Sequence, residues 1–240
     1  MAYIGKQPTA VPLTSSDLED NIVTSAKITD GTIALADLSA TGTKDSTTFL
    51  RGDNTFASAG GGLVKLAETN ISSSVSTVSF DGYFTSDYDI YKVMVVNLRP
   101  VGASSYVPCL RFRRSNADVT SSNYRSAVQQ AWGASPSGGE NFNGDFPSSL
   151  INMVKDSAVK GNSEFGFSAE IIFYNPLKST RYRMVNGQGT YQYSTDRWYT
   201  CQFGGTDYSS TSALSGFTFL NAGGEDFDDG EIYLFGFKTA

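Results

Sequence analysis

The chain has 240 residues, a formal net charge of −6 and a sequence pI of about 4.7. Charged residues make up 18% of the chain and 24 residues are glycine, a composition that favours strands and turns over helices. The acidic balance argues against a basic surface that binds nucleic acid, and no apolar run approaches the roughly 20 residues that insert across a membrane. Histidine is absent, which excludes Ser-His and Cys-His nucleophile pairs and His-based zinc or iron sites.

A ten-residue repeat marks the N-terminal region. Leu18, Ile28 and Leu38 are each ten positions apart, and the turn signals Asp20-Asn21 and Asp30-Gly31 share that offset. Units this small cannot bury an apolar face within one chain. We therefore predict that residues 1–58 form an extended arm, which is ordered by other copies of the chain or by a larger particle.

Two groups of side chains in this arm are predicted to make contacts. Extended segments bind through backbone pairing and a few apolar anchors, and docking on the particle is assigned to Tyr3, Ile4, Val11, Leu13 and Leu18. The alternative for this segment is a disordered tail. Assembly of the arm with its neighbours is assigned to the larger apolar residues that follow: Ile22, Val23, Ile28, Ile33, Leu35, Leu38, Phe49, Leu50 and Phe56.

The tripeptide Arg51-Gly52-Asp53 spells an adhesion sequence. It lies between short apolar groups in a polar segment, and each of its residue types is common in turns. We interpret it as a turn, in which Gly52 supplies a positive φ and Asp53 closes the bend.

A composition shift at residues 59–62 separates the arm from the rest of the chain. Tyr3, Phe49 and Phe56 are the aromatic residues that precede residue 62, although the whole chain holds 16 Phe and 13 Tyr. The shift coincides with a run of three glycines. We predict a glycine hinge at residues 59–62 and a separate domain over residues 63–240.

The two-residue hydrophobic period of strands recurs throughout this second region. The predicted strands are, in chain order, residues 63–68, 75–80, 88–98, 109–113, 165–173, 182–184, 197–203, 217–220 and 232–237. No helical period is sustained. The predicted fold class is therefore all-β, with the arm followed by an antiparallel β-sandwich or jelly-roll domain.

Two parts of the second region are assigned in more detail. Residues 232–237 are apolar on both faces, which predicts a central strand or one at a subunit interface, and Asp229-Gly230 is predicted to form a hairpin turn before it. Residues 115–163 are polar and lack a strand period, so they are predicted to form a long functional loop, with a short helix around residues 148–155.

The polar loop carries residues suited to sugar binding. An aromatic ring stacks on the apolar face of a sugar, while amides and carboxylates bond its hydroxyls. These roles are assigned to Trp132, Asn141, Phe142, Asn143 and Asp145. The alternative is that Trp132 and Phe142 are core or subunit-interface residues.

We predict no catalytic residue, metal site or cofactor, and we expect that the chain is not an enzyme. Glycoside hydrolysis requires two carboxylates held about 5–9.5 Å apart, and the candidates Glu140, Asp145, Glu164 and Glu170 are not paired in the sequence. The acidic run over residues 225–231 lacks the spacing of a calcium loop and is interpreted as solvated.

The two cysteines, Cys109 and Cys201, are far apart in the sequence. We interpret them as buried, reduced thiols, and the alternative is one disulfide between sheets.

Three segments resemble the N-terminal region of tail-fibre and related virion structural proteins of tailed phages. They are the opening segment over residues 2–8 (AYIGKQP), the Asp-Gly-Thr-Ile-like repeat, and the segment STTFLRGDNTF over residues 46–56. The closing segment over residues 229–238 is similar to the end of the β domain that often follows in such proteins.

This resemblance implies a homotrimeric fibre on the tail or capsid surface of a virion, made in the cytoplasm of the bacterial host. Its N-terminus would dock on other virion structural proteins, and its C-terminal domain would adhere to a polysaccharide or protein of the host surface. The chain lacks the long shaft of such fibres, so a capsid decoration or a tail or baseplate adaptor that binds no receptor stays open as an alternative. A glycan-cleaving spike is a separate, more remote alternative.

Overall fold

The computed structural model describes residues 20–21, 23–34, 37, 39–45, 48–58, 62–102, 105–134, 137–155, 159–160, 166–194 and 197–237. The chain divides into two compact units, Met1–Ala59 and Gly60–Ala240. The predicted all-β class is confirmed, because antiparallel sheets account for nearly all the regular structure. Within the described ranges, no helix has the length and apolar character needed to cross a membrane.

The first unit contains a 3-10 helix, Ser25–Lys27, and the strands β1 (Thr48–Leu50) and β2 (Phe56–Ser58). The strands of the second unit are β3 (Leu63–Ile71), β4 (Thr77–Asp81), β5 (Ile90–Pro100), β6 (Ser105–Tyr106), β7 (Pro108–Arg114), β8 (Ala117–Asp118), β9 (Tyr124–Ala134), β10 (Gly139–Ser148), β11 (Ile151–Asn152), β12 (Val159–Lys160), β13 (Phe167–Tyr174), β14 (Met184–Ser194), β15 (Arg197–Asp207), β16 (Gly216–Asn221) and β17 (Phe227–Phe237).

Two antiparallel sheets form the sandwich of the second unit. The larger has eight strands in the order β10-β9-β15-β14-β13-β5-β17-β3, and the smaller has the order β11-β7-β16-β4 with β8 paired to β7. Aromatic side chains from both sheets meet in the core. The ring of Phe173 on β13 stacks on that of Phe217 on β16, with 4.8 Å between their centroids, and Phe112 on β7 lies 6.2 Å from Phe173.

The alternation that predicted β13 is reproduced in its burial. Phe167, Ile171 and Phe173 are buried, whereas Ser168 and Glu170 lie on the opposite side of the strand. The apolar strand at the C-terminal end is central, as predicted, because β17 lies between β5 and β3. It is the strongly apolar strands that the hydrophobic pattern locates well.

The prediction of a long loop over residues 115–163 is wrong. Strands β9 and β10 form an antiparallel pair at one edge of the large sheet, and residues 151–152 form a strand on β7 instead of a helix. Backbone pairing determines this outcome, since β9 pairs with β15 along its whole length. The side chains give little contrast, because the polar Gln130 is buried and the apolar Ala131 is exposed.

The predicted hairpin turn at Asp229-Gly230 is also wrong. Strand β17 continues through these residues, with irregular pairing to β5 on either side of Asp229. Gly230 has a φ of 132°, and a Cβ atom there would lie 2.8 Å from the Cα of Leu98. The glycine therefore permits close contact between two strands.

The turn interpretation of Arg51-Gly52-Asp53 is confirmed. These residues connect β1 to β2, and the backbone N–H of Arg51 donates to the carbonyl of Thr55 at 2.8 Å. Asp53 Oδ1 accepts a hydrogen bond from the Thr55 hydroxyl at 2.6 Å. The positive φ is at Asn54 (61°), not at the predicted Gly52, because asparagine also tolerates this conformation.

Candidate functional site

The eight-stranded sheet has one face in the core and one face open. Along β9, the buried Val128 is followed by the exposed Gln129, and along β15 the exposed Gln202 is followed by the buried Phe203. Strand geometry sends alternate side chains to opposite faces. We call the exposed side of this sheet the outer face.

The register of the sheet places one side chain from each of its eight strands in a single row across the outer face. This row, here called the glutamine row, consists in sheet order of Phe142, Gln129, Gln202, Gln188, Glu170, Met94, Tyr233 and Glu68. Neighbouring strands lie about 4.8 Å apart. The three glutamines are therefore direct neighbours on three adjacent strands, although they are distant in the sequence.

A hollow lies on each side of the glutamine row, and the two together are here called the trough. The larger hollow has a volume of about 840 Å³ and is lined by the small residues Ala127 and Gly144 and by Phe142. The smaller hollow has a volume of about 610 Å³ and is lined by Ala131 and Thr200, among others. The three glutamines and Glu170 line both hollows.

Several polar groups of the trough have no protein partner within the described part of the chain. The side-chain amides of Gln129 and Gln202 make no hydrogen bond there, and neither do the hydroxyls of Thr190 and Thr200. Each glutamine amide offers two donor hydrogens and an acceptor oxygen. The trough therefore presents donors and acceptors that a ligand can use.

The charge in the trough is balanced internally. Glu170 forms an ion pair with Lys92 at 2.5 Å and accepts a hydrogen bond from Gln188 Nε2 at 2.9 Å. The hydrogen bond from Lys92 holds the pKa of Glu170 below its ordinary value. The carboxylate is thus ionised at neutral pH, and its charge is compensated by its neighbour.

Two of the predicted sugar-binding residues line the trough. Phe142 is 64% exposed at the β10 end of the glutamine row, whereas Asn143 borders the same hollow but pairs with the buried Val128, on the inner side of β10. Asn141 lies on the other side of β10 from Phe142, opposite the buried Gln130. Only part of the predicted set is therefore brought together.

Trp132 lies on the core side of β9, which was the alternative interpretation of this residue. It is half-buried and packs against the core, with its ring centroid 5.6 Å from that of Tyr199. Asp145 belongs to β10, where it pairs with Ser126. The strand structure of this segment separates residues that a loop could have gathered.

The other carboxylate candidates do not form a group. Glu140 lies on β10 opposite Ala131, while Glu164 is outside the described residues. In the acidic run, Asp229 pairs with Arg99 at 2.8 Å and Glu231 accepts a hydrogen bond from the Tyr233 hydroxyl at 2.5 Å. No group of three or more Cys, Asp or Glu side chains in the described ranges is placed to hold a metal ion.

Both cysteines are buried and carry thiols, as the sequence predicted. The Cys109 thiol donates to the carbonyl of Val107 and to Asn152 Oδ1, each at 3.1 Å. Burial raises the pKa of the Cys201 thiol to about 12. Neither sulfur is suited to act as a nucleophile, since the reactive form is the exposed thiolate.

The predicted docking residues Tyr3, Ile4, Val11, Leu13 and Leu18 lie outside the described residues, as do Ile22, Leu35 and Leu38. The other predicted assembly residues are exposed, namely Val23, Ile28, Ile33, Phe49 and Leu50, except for the half-buried Phe56. Among the described residues of this unit, Ala40 alone is buried. The described part of the unit therefore has no apolar core of its own.

Sequence reasoning missed the three glutamines. Gln202 lies in a predicted strand, whereas Gln129 and Gln188 lie outside the predicted strands, and an amide in a strand is an ordinary solvent-facing residue. Their common feature is a shared row, which depends on the pairing of β9, β15 and β14. The three glutamines could have been brought together only by a correct assignment of which strands pair and in which register.

Comparison with known proteins adds no relative: no protein-family model, curated protein or solved structure matches the chain. Function is therefore inferred from the sequence features, the fold and the trough.

Proposed function

We propose that the chain is a non-enzymatic fibre protein of a phage virion, which docks on the particle through its N-terminal unit and adheres to the host surface through the β-sandwich. The observation that carries the adhesive role is the trough, an open polar surface on one face of the large sheet. Binding sites combine an apolar or aromatic surface with a few polar groups. The trough does so with Phe142, the glutamine amides and the threonine hydroxyls.

The first unit supports the docking and assembly role. Phe49 and Leu50 are 49% and 47% exposed, and the described part of the unit lacks a core that could cover them. Burial of such side chains stabilises a structure by about 1.5–3 kcal/mol each. We infer that other copies of the chain, in a homotrimer, and other virion structural proteins cover them on the tail or capsid surface.

The state of Glu170 favours adhesion over glycan cleavage. A glycosidase needs one carboxylic acid with a raised pKa that can donate a proton to the leaving oxygen. Glu170 is the acidic residue at the centre of the trough, and Lys92 lowers its pKa instead. This carboxylate is suited to a structural ion pair.

One observation favours the second candidate, a decoration or adaptor protein that binds no receptor. The large apolar side chains of Leu63, Tyr174 and Phe237 are exposed at one end of the outer face. The strand register places them together, because Phe237 lies opposite Leu63 and Ile90, and Tyr174 lies opposite Ile90. A contiguous exposed apolar surface often marks a protein interface. A neighbouring subunit could cover this end while the trough serves no ligand.

Binding of the full chain to bacterial cells and to their envelope polysaccharide tests the adhesive function. We expect binding to some members of a panel of strains, and we expect a Phe142→Ala/Gln202→Ala double variant to lose it. Tyr83→Ala is the matched control, because Tyr83 is an exposed aromatic residue outside the trough. Absence of binding to every strain would favour the decoration or adaptor role, and shortening of the polysaccharide chains would favour a glycan-cleaving spike.

A further inference from the structure

We infer that the ligand of the trough is an uncharged polysaccharide, which lies in the larger hollow and runs across the strands alongside the glutamine row. This inference rests on the proposed adhesive function and specifies its ligand. It follows from the charge of the trough, the arrangement of its hydrogen-bonding groups and the position of its exposed aromatic ring.

The charge of the trough suits a neutral ligand. Recognition of anionic sugars relies on arginine or lysine side chains that can pair with the carboxylate or phosphate. Lys92 is paired with Glu170, and the Arg125 guanidinium lies over the ring of Tyr208, 4.2 Å from its centroid. Between these two cations, the outer-face residues of β9, β15 and β14 are uncharged.

The hydrogen-bonding groups form a repeating array. Gln129, Gln202 and Gln188 occupy directly paired positions on three adjacent strands, so their amides recur at intervals of about 4.8 Å. A polysaccharide likewise presents hydroxyl groups at repeated positions, and each amide can both donate and accept. A linear chain that follows the row can therefore meet one amide after another.

The aromatic ring and the small residues define the path of the chain. Phe142 lies at the β10 end of the row, where its exposed ring can stack on the apolar face of a sugar. Ala127 and Gly144 line the same hollow and leave room for sugar rings above the sheet. From β10 to β13 this path crosses four strand spacings, or roughly 19 Å, which gives space for several sugar units.

Two substitutions at exposed positions of β9 distinguish the two hollows. Ala127 lines the larger hollow and Ala131 the smaller, and both are solvent-facing residues of the same strand. Tyrosine is favoured in strands, so both Ala127→Tyr and Ala131→Tyr are compatible with the fold. The first fills the proposed path, and the second is its matched control.

The experiment uses the full chain and the envelope polysaccharide of a strain to which it binds, separated by anion exchange into neutral and acidic fractions. We expect the neutral fraction to bind. Its affinity should change little between low and high salt, because a neutral ligand forms no ion pair that salt could screen. Ala127→Tyr and Gln202→Ala should each weaken binding by roughly tenfold or more. Ala131→Tyr should leave affinity within about twofold, and all variants should unfold at the same temperature as the unaltered chain.

Other outcomes overturn the inference in distinguishable ways. Salt-sensitive binding of the acidic fraction alone would refute a neutral ligand, and loss of binding with Ala131→Tyr but not with Ala127→Tyr would refute the proposed path. Both results would leave the adhesive function intact. Failure of the unaltered chain to bind any polysaccharide from any strain would remove the adhesive function together with this inference.

Discussion

Two arginines of the β-sandwich, Arg113 and Arg114, are held in ion pairs with carboxylates. Arg114 Nη1 lies 2.5 Å from Asp207 Oδ2, and Asp207 is fully buried. Arg113 pairs with both Asp81 and Asp118. Breaking a buried pair leaves an uncompensated charge and costs several kcal/mol, so these residues have a structural role. In the trough, the groups left for binding are the neutral amides of Gln129 and Gln202 and the hydroxyls of Thr190 and Thr200.

The buried thiol of Cys201 makes stability depend on alkaline pH. Burial raises its pKa from an ordinary 9.0 to about 12. Below pH 9 the thiol is protonated in both the folded and the unfolded chain, so it adds no pH dependence. Between these two values the unfolded chain loses the proton and the native chain keeps it, and the free energy of unfolding therefore falls as pH rises, by up to about 1.4 kcal/mol per pH unit.

Urea unfolding of the unaltered chain and of Cys201→Ala checks this prediction. We expect the variant to lose less stability than the unaltered chain between about pH 9 and pH 11, although it is less stable at neutral pH because of the cavity. Near pH 7 the two proteins should show the same pH dependence. Equal losses over the alkaline range would contradict the predicted pKa of the thiol.

At the scale of elements, the hydrophobic pattern predicted strands according to how strongly their two faces differ. Strand β13 was predicted because Phe167, Ile171 and Phe173 alternate with smaller or polar residues. Strand β9 was not predicted, because Gln130 is buried, where its amide donates to the Tyr191 hydroxyl at 2.8 Å. Strand structure there depends on pairing with β10 and β15, which a local pattern does not contain.

The same limit applies to the trough. Phe142 was predicted as a sugar-binding residue, but as part of a loop that also contained Trp132. The chain instead folds into paired strands, and alternation sends Trp132 to the core. The glutamine row unites residues 129, 188 and 202, so it is a property of strand register and could not be predicted before the register was known.

The inner side of β14 is built with glycines to accommodate aromatic rings from neighbouring strands. A Cβ atom on Gly187 would lie 2.5 Å from Phe203 Cζ and 2.6 Å from the carbonyl oxygen of Glu170. The backbone atom cannot move aside without disturbing the β13–β14 pairing. We expect Gly187→Ala to destabilise the domain by about 1–3 kcal/mol through overpacking.

Gly133→Ala is the matched control for this prediction, since a Cβ atom at Gly133 on β9 meets nothing within 4 Å. It should change the free energy of unfolding by less than about 0.5 kcal/mol. Denaturant unfolding of the two variants and the unaltered chain gives the comparison. Equal stability of the Gly187 and Gly133 variants would mean that the sheet adapts freely at this position.

At the scale of the whole molecule, the two units differ in how they can be stabilised. The second unit has one extensive core formed by both sheets, with fully buried rings such as Phe112, Phe173 and Phe217. The described part of the first unit has Ala40 as its single buried residue, while Val23 and Ile33 are more than half exposed. The described residues thus provide an apolar core for the second unit and almost none for the first.

The mass of the full chain in solution tests the proposed homotrimer. One chain has a mass of 25.8 kDa, and we expect light scattering at micromolar concentration to give three times that value. Phe49→Ser/Leu50→Ser should shift the mass toward that of one chain, because each lost apolar contact removes about 1.5–3 kcal/mol of association energy. Tyr83→Ser, at an exposed aromatic position of the second unit, should leave the trimer unchanged. A single-chain mass for the unaltered protein would contradict the proposed homotrimer.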